Sequence, residues 1–165
     1  MVAMPGNNGI NASKLIVFAQ EDHDLMTHLF TYGSLMCADI MERVAGCRLR
    51  CIETVLQGFF RSGIQGEEYP GIVPSSGSAV SGVLYLNLPE EALRRLDLFE
   101  GDMYERHSVE VVSTEYERLT AMTYVVKACF YDRLTNEQWS YARFLATGKS
   151  NFEKMYLGFE KLISS

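Results

Sequence analysis

Imidazole is in short supply in this chain, which has only His23, His28 and His107 among 165 residues. One of them lies in a polar leading segment and the other two in strand-like runs, which argues against a three-histidine metal site. There is no Gly-x-Gly-x-x-Gly turn after a strand, no phosphate loop ending in Gly-Lys-Ser and no Gly-x-Ser-x-Gly elbow. Nucleotide and serine-hydrolase chemistries recede accordingly. The apolar run Leu15-Ile16-Val17-Phe18-Ala19 is too short for a signal-peptide core or a membrane span. No basic run is available to neutralise a row of phosphates, and 15 basic against 21 acidic residues leave a formal charge of -6. Neither nucleic acid nor a membrane is therefore expected as a partner.

Disulfide staples are not needed at this length, and the four cysteines, Cys37, Cys47, Cys51 and Cys129, are spread through segments that read as core. The Cys47-Arg-Leu-Arg-Cys51 pair has neither a second pair nor a close histidine to complete a metal site, so buried structural thiols in a reducing cytoplasm are expected.

What is present is a chain that is 47% hydrophobic and 22% charged, with nine Tyr and nine Phe, enough for one domain around a single aromatic-rich core. Residues 1–25, with the acidic Glu21-Asp22-His23-Asp24 linker, read as a flexible tail or a short edge strand. His28 to Tyr32 reads as a strand stopped by Gly33, Leu35 to Val44 as a short helix, and Gly46 to Phe60 as a strand. Two prolines and a glycine in Tyr69-Pro70-Gly71-Ile72-Val73-Pro74 rule out helix and indicate an ordered extended loop. Ala79 to Leu86 is strand-like. Leu88-Pro89 opens a helix with the apolar stripe Ala92, Leu93, Leu96 and Phe99, which Gly101 ends. Tyr104 to Ser113 and Leu119 to Lys127 form a hairpin pattern. After Asp132 the pattern turns helical, with Thr135 or Asn136 as a cap, and Ser150 or Asn151 precedes a second helix over Phe152 to Leu162. The sum is an α+β protein: a small, mostly antiparallel β-barrel-like core with flanking helices.

Two features are candidates for chemistry. Tyr32-Gly33-Ser34-Leu35 follows a strand, where glycine lets successive amides converge on one point as an anion-binding nest; a plain turn has the same residues. Leu96-Asp97-Leu98-Phe99-Glu100-Gly101-Asp102 sets three carboxylates at the negative pole of a helix. A carboxylate held there and partly desolvated becomes a stronger base, whereas a solvated one on a frayed helix end does nothing. Asp97, one turn back from Glu100, reads equally as a structural acid.

Together, Leu29-Phe30-Thr31-Tyr32-Gly33-Ser34-Leu35, Tyr69-Pro70-Gly71, Val80-Ser81-Gly82-Val83-Leu84-Tyr85 and Leu96-Asp97-x-Phe99-Glu100-Gly101-x-x-Tyr104-x-Arg106 resemble the gamma-glutamylcyclotransferase-like family, including its avirulence-induced plant branch. The resemblance covers roughly Leu29 to Val126. It implies a compact barrel-like fold, a catalytic domain over residues 26–130 with residues 131–165 as a helical extension packed on it, and a reaction without cofactor or metal. The implied substrate is a gamma-glutamyl amine or amino acid, closed to 5-oxoproline with release of the free amine. By the same resemblance Glu100 is the proton-transferring residue. Leu29, Phe30, Thr31, Tyr32, Gly33, Ser34 and Leu35 form the substrate-binding segment, with Tyr69, Tyr104 and Arg106 in support. Each supporting residue has a structural reading too: Arg106 paired with Asp97 or Glu105, Tyr104 capping the sheet, Tyr69 packed on Pro70. A non-catalytic binding or regulatory module and a gamma-glutamyl isopeptide or amide hydrolase remain as alternatives, and oligomeric state is open.

Overall fold

A computed structural model describes residues 26–156. The leading segment, with Leu15 to Ala19 and the acidic linker, and the end of the last expected helix lie outside the described residues. Six strands form one curled sheet in the order β4-β5-β1-β3-β2-β6, with helices on it, so the α+β class expected from the sequence holds. The strands are β1 (Thr27–Thr31), β2 (Cys51–Ile64), β3 (Pro70–Leu88), β4 (Tyr104–Val111), β5 (Leu119–Val126) and β6 (Leu134–Gln138). All neighbours run antiparallel except β1 and β5. The curl brings Val112, just past β4, against Val55 of β2, and the Thr54 hydroxyl donates to the Val112 carbonyl, so the sheet turns most of the way into a barrel.

From Pro70 to Pro74 the expected loop is strand, since β3 begins at Pro70 and pairs with β2 from Gly63↔Pro70 through Phe59↔Pro74; Tyr69 is the bend just before it. The prolines are tolerated because of which edge they face. The Ile72 amide bonds the Tyr32 hydroxyl on the side away from β2, and Pro70 and Pro74, two residues either way, present their missing N–H to that same side.

Helix α1 (Ala38–Ala45) follows a 3-10 turn at Ser34–Met36, so the expected start at Leu35 is three residues early. Helix α2 (Glu90–Glu100) begins after Pro89 and stops where Gly101 takes a positive φ, +68°, that favours glycine. Its Ala92, Leu93 and Leu96 are buried, while Phe99 is half-buried.

The helical expectation after Asp132 is corrected. Leu134–Gln138 is β6, and it closes the open edge of β2 through Ile64↔Leu134 and Ser62↔Gln138, with the Thr135 hydroxyl on the Gly63 carbonyl. An unpaired strand edge offers more hydrogen bonds than the local cap signal, and tertiary pairing wins. Helix starts only after Ser140, whose hydroxyl accepts from the Arg143 amide: α3 (Tyr141–Arg143), a π turn at Phe144–Gly148, then α4 (Lys149–Met155). Phe144 and Phe152, each 2% exposed, join Leu29, Ile40, Tyr85 and Leu96 in one apolar cluster. The thiols also differ from expectation, since only Cys37 is buried and Cys51 and Cys129 are exposed.

Because Phe144 is part of that common core, Phe144→Ala is expected to cost about 3–5 kcal/mol in denaturant unfolding, as for other large core truncations. A loss under about 1 kcal/mol would show the C-terminal segment to be peripheral.

Candidate active site

The end of β1, the start of β3, the end of α2 and one face of α4 meet around a cavity of about 230 Å³. At about 30 Å³ per water, it holds the equivalent of some seven waters, enough for an amino-acid-sized group. Helix α2 delivers Glu100 to it as its final residue, and after Gly101 the lining continues with Asp102, Met103 and Tyr104.

Glu100 keeps some exposure through the cavity mouth, but its carboxyl is enclosed by protein. That desolvation, with the negative charge of Asp97 as a second cause, pushes its pKa up to about 8. Asp97 is compensated where Glu100 is not. Its Oδ1 meets the Arg106 guanidinium at 2.8 Å and accepts from the Tyr124 hydroxyl at 2.8 Å.

The Tyr32-Leu35 segment is fixed from several sides. The Tyr32 hydroxyl donates to the Tyr124 carbonyl at 2.6 Å and accepts from the Ile72 amide, and the Tyr85 hydroxyl donates to the Leu35 carbonyl at 2.9 Å. Gly33 lies so close to β3 that a Cβ there would sit 2.8 Å from Pro70 Cδ, so only glycine lets the loop approach. The Tyr104 hydroxyl donates to the Pro70 carbonyl at 2.8 Å. Inside the 3-10 turn the Met36 amide bonds the Gly33 carbonyl and the Cys37 amide bonds the Ser34 carbonyl. The Ser34 and Leu35 amides, at the start of the turn, have no such acceptor and belong to residues that line the cavity.

Of the residues named from sequence, Thr31, Tyr32, Gly33, Ser34, Leu35, Tyr69, Glu100 and Tyr104 line this one cavity. Leu29 and Phe30 do not; both are 0% exposed and sit in the two apolar clusters. Arg106 lies on Asp97 rather than in the lining. Sequence reading missed Tyr124, Arg133, Phe152 and Tyr156, which also line the cavity. The spacing of four between Phe152 and Tyr156 places both on one helix face, a signal that was available. His28 accepts from the Asn87 amide and His107 contacts Glu105, both outside the lining. Among the described residues no three His, Cys, Asp or Glu side chains gather as metal ligands, and no helix is long and apolar enough to cross a membrane.

A model of the family described as gamma-glutamyl cyclotransferase, AIG2-like, matches residues 29–141, more than half of the chain. The chain belongs to that family. It is 35% identical over 102 residues to AIG2-like protein D of Arabidopsis thaliana, a match covering 61% of this chain and 67% of that one. Among solved structures, an Arabidopsis thaliana protein determined in solution is 25% identical with a TM-score of 0.58, covering 79% of this chain and 87% of that one. A structure named gamma-glutamyl cyclotransferase shares the fold, with a TM-score of 0.53 at 24% identity over 61% of this chain and 66% of that one. The matched part extends past the sequence resemblance to include β6.

A raised folded-state pKa means that folding favours protonated Glu100. Its stabilising contribution is fully present below the ordinary value of 4.5 and is lost as pH rises through about 8. Glu100→Gln, which does not ionise, is therefore expected to gain stability over the wild type between pH 4.5 and 8, reaching about 3 kcal/mol and then levelling off. Water at the cavity mouth keeps this below the full shift. Unfolding midpoints of the two proteins measured from pH 4 to 9 test it; parallel curves would mean that Glu100 is solvated.

Proposed function

We propose that the cavity performs a cofactor-free intramolecular acyl transfer on a gamma-glutamyl amine or amino acid. The α-amino nitrogen of the substrate attacks its own side-chain carbonyl carbon, the new C–N bond closes 5-oxoproline, and the bond to the leaving nitrogen breaks. The observation that supports this most is a carboxyl with a pKa of about 8 facing the same cavity as the Tyr32-Leu35 segment.

An α-ammonium with a pKa near 8 cannot attack until it loses a proton. A Glu100 carboxyl raised to about 8 accepts that proton far more readily than an ordinary carboxylate would. On the way to the lactam N–H the attacking nitrogen gives up a second proton as well, and Glu100 relays both to the departing nitrogen, which leaves as an ammonium and returns Glu100 to its starting state. Proton balance is closed within the site, and no redox or hydrolytic partner is required. The Ser34 and Leu35 amides are suited to the substrate carboxylate or to the oxyanion formed during attack, each such donor being typically worth about 3–4 kcal/mol in the transition state. The cavity walls hold the substrate folded, which supplies proximity. Exposed, unpaired Cys51 and Cys129 suit a reducing compartment such as the cytoplasm.

The purified protein is expected to release 5-oxoproline from at least one member of a panel of gamma-glutamyl amines and dipeptides. Glu100→Gln should lower this by about 10²- to 10⁴-fold with the fold retained. Release of glutamate in place of 5-oxoproline would point to a hydrolase, and neither product from any substrate to a binding module. For the wild type, kcat/KM should fall about tenfold per pH unit below an apparent pKa near 8, because the Glu100–amine pair must carry one proton and not two. A flat acid limb down to pH 6 would remove Glu100 from the proton transfer.

A further inference from the structure

Arg61 of β2 stands behind the Tyr32-Leu35 segment and does not line the cavity. Its Nη1 donates to the Tyr32 carbonyl at 2.9 Å and the Ser81 carbonyl at 3.1 Å, and the guanidinium lies 5.2 Å from the centroid of the Trp139 ring. Among the described residues no carboxylate pairs with it, and its Nε is buried without an acceptor. A half-buried guanidinium without a counter-ion is costly to the fold, and Met of similar length would fill the space without that cost.

The return lies in the carbonyl it holds. In a 3-10 turn each amide bonds the carbonyl three residues back, as Met36 does to Gly33 and Cys37 to Ser34. One step earlier, the Leu35 amide would take the Tyr32 carbonyl. Here Arg61 donates to that carbonyl, the turn starts one residue later, and the Leu35 amide has no protein acceptor among the described residues. In the trans Tyr32–Gly33 peptide the N–H points opposite to the C=O, so a cation on the carbonyl also polarises the Gly33 N–H on the other side of the peptide plane.

We propose that Arg61 is a positioning residue: by holding the Tyr32 carbonyl it keeps the Gly33, Ser34 and Leu35 amides open as donors for the substrate's carboxylate or developing oxyanion. The ligand in this statement rests on the proposed cyclotransfer. The hold on the carbonyl does not.

The test uses Arg61→Met and Arg61→Lys in the full chain, read by amide hydrogen exchange, thermal unfolding and kinetics. In Arg61→Met the released Tyr32 carbonyl accepts the Leu35 amide, whose exchange should slow about tenfold while α1 is unchanged. The kcat/KM for a gamma-glutamyl substrate cyclised by the wild type should fall about 10²-fold with no drop in the unfolding midpoint. Arg61→Lys, which keeps one donor, should recover to within about tenfold of wild type. Unaltered Leu35 exchange, faster exchange throughout the domain, or a lysine variant no better than methionine would each overturn the role. Should Arg61→Met not fold, the lysine variant decides: wild-type exchange at Leu35 with near-wild-type turnover upholds the proposal, and general acceleration overturns it. A wild type that makes no 5-oxoproline would defeat the functional reading alone, since Leu35 exchange still reports on Arg61.

Discussion

Two carboxylates one turn apart at the negative end of α2 cannot both remain charged in a desolvated wall without opposite charge nearby, and the structure compensates only one. Asp97 has the Arg106 guanidinium and the Tyr124 hydroxyl. Glu100 has no ion-pair partner among the described residues, is enclosed, and feels Asp97 as a like charge, so its proton is retained through neutral pH. The asymmetry is created on two different elements, since Arg106 belongs to β4 and Tyr124 to β5. The β4–β5 hairpin, where Arg106 and Tyr124 are directly paired, is therefore what makes the two acids at the helix end unlike each other.

The second half of the site depends on close approach rather than charge. Gly33 against Pro70, the Tyr104 hydroxyl on the Pro70 carbonyl, and the Tyr32 hydroxyl between the Ile72 amide and the Tyr124 carbonyl join four separated sequence segments at one point. The bonds to the Pro70 carbonyl and the Ile72 amide satisfy backbone groups at the start of β3, where no neighbouring strand is present on that side, and the third bond satisfies a carbonyl of β5. Tyrosine serves here as a substitute for a missing strand. It supplies the hydrogen bond of a ladder without occupying the space of one, and the cavity takes that space.

This explains what could be read from residues alone and what could not. The periodic α2 and the β4–β5 hairpin were legible because their signals are local, an apolar stripe and an alternation; Glu100 and Tyr32-Leu35 each had a plain structural reading alone and were singled out only by the joint resemblance of the separated motifs. Arg106 was left between a structural and a substrate-binding role because sequence does not say which carboxylate a strand arginine meets across a fold; the contact with Asp97 answers it. Leu29 and Phe30 were named for lying in the same run as the loop, yet a strand buried on both faces sends such side chains into the core. β6 and the proline-containing start of β3 were hidden because their pairing partner, β2, lies 70 residues or more away for the first and on only one side for the second. Phe152 and Tyr156 share a helix face by spacing, but that this face packs against Tyr69 and Phe99 is a long-range contact.

A neutral acid in the resting wall also fits the cavity's other surfaces. Tyr69, Phe99, Phe152 and Tyr156 put aromatic faces around the same space, with Tyr69–Tyr156 centroids 6.0 Å apart and Phe99–Phe152 6.3 Å apart. Such walls solvate an ion poorly, so a carboxylate there would bind its proton more tightly, and the protonated form lets the empty cavity exist without an uncompensated charge. On the proposed cyclotransfer, an entering ammonium would bring the counter-charge that Glu100 lacks, and the group to be deprotonated would itself lower the proton affinity of its acceptor. Charge compensation at Asp97 is built from the protein, from Arg106 and Tyr124, whereas Glu100 has no ion-pair partner among the described residues.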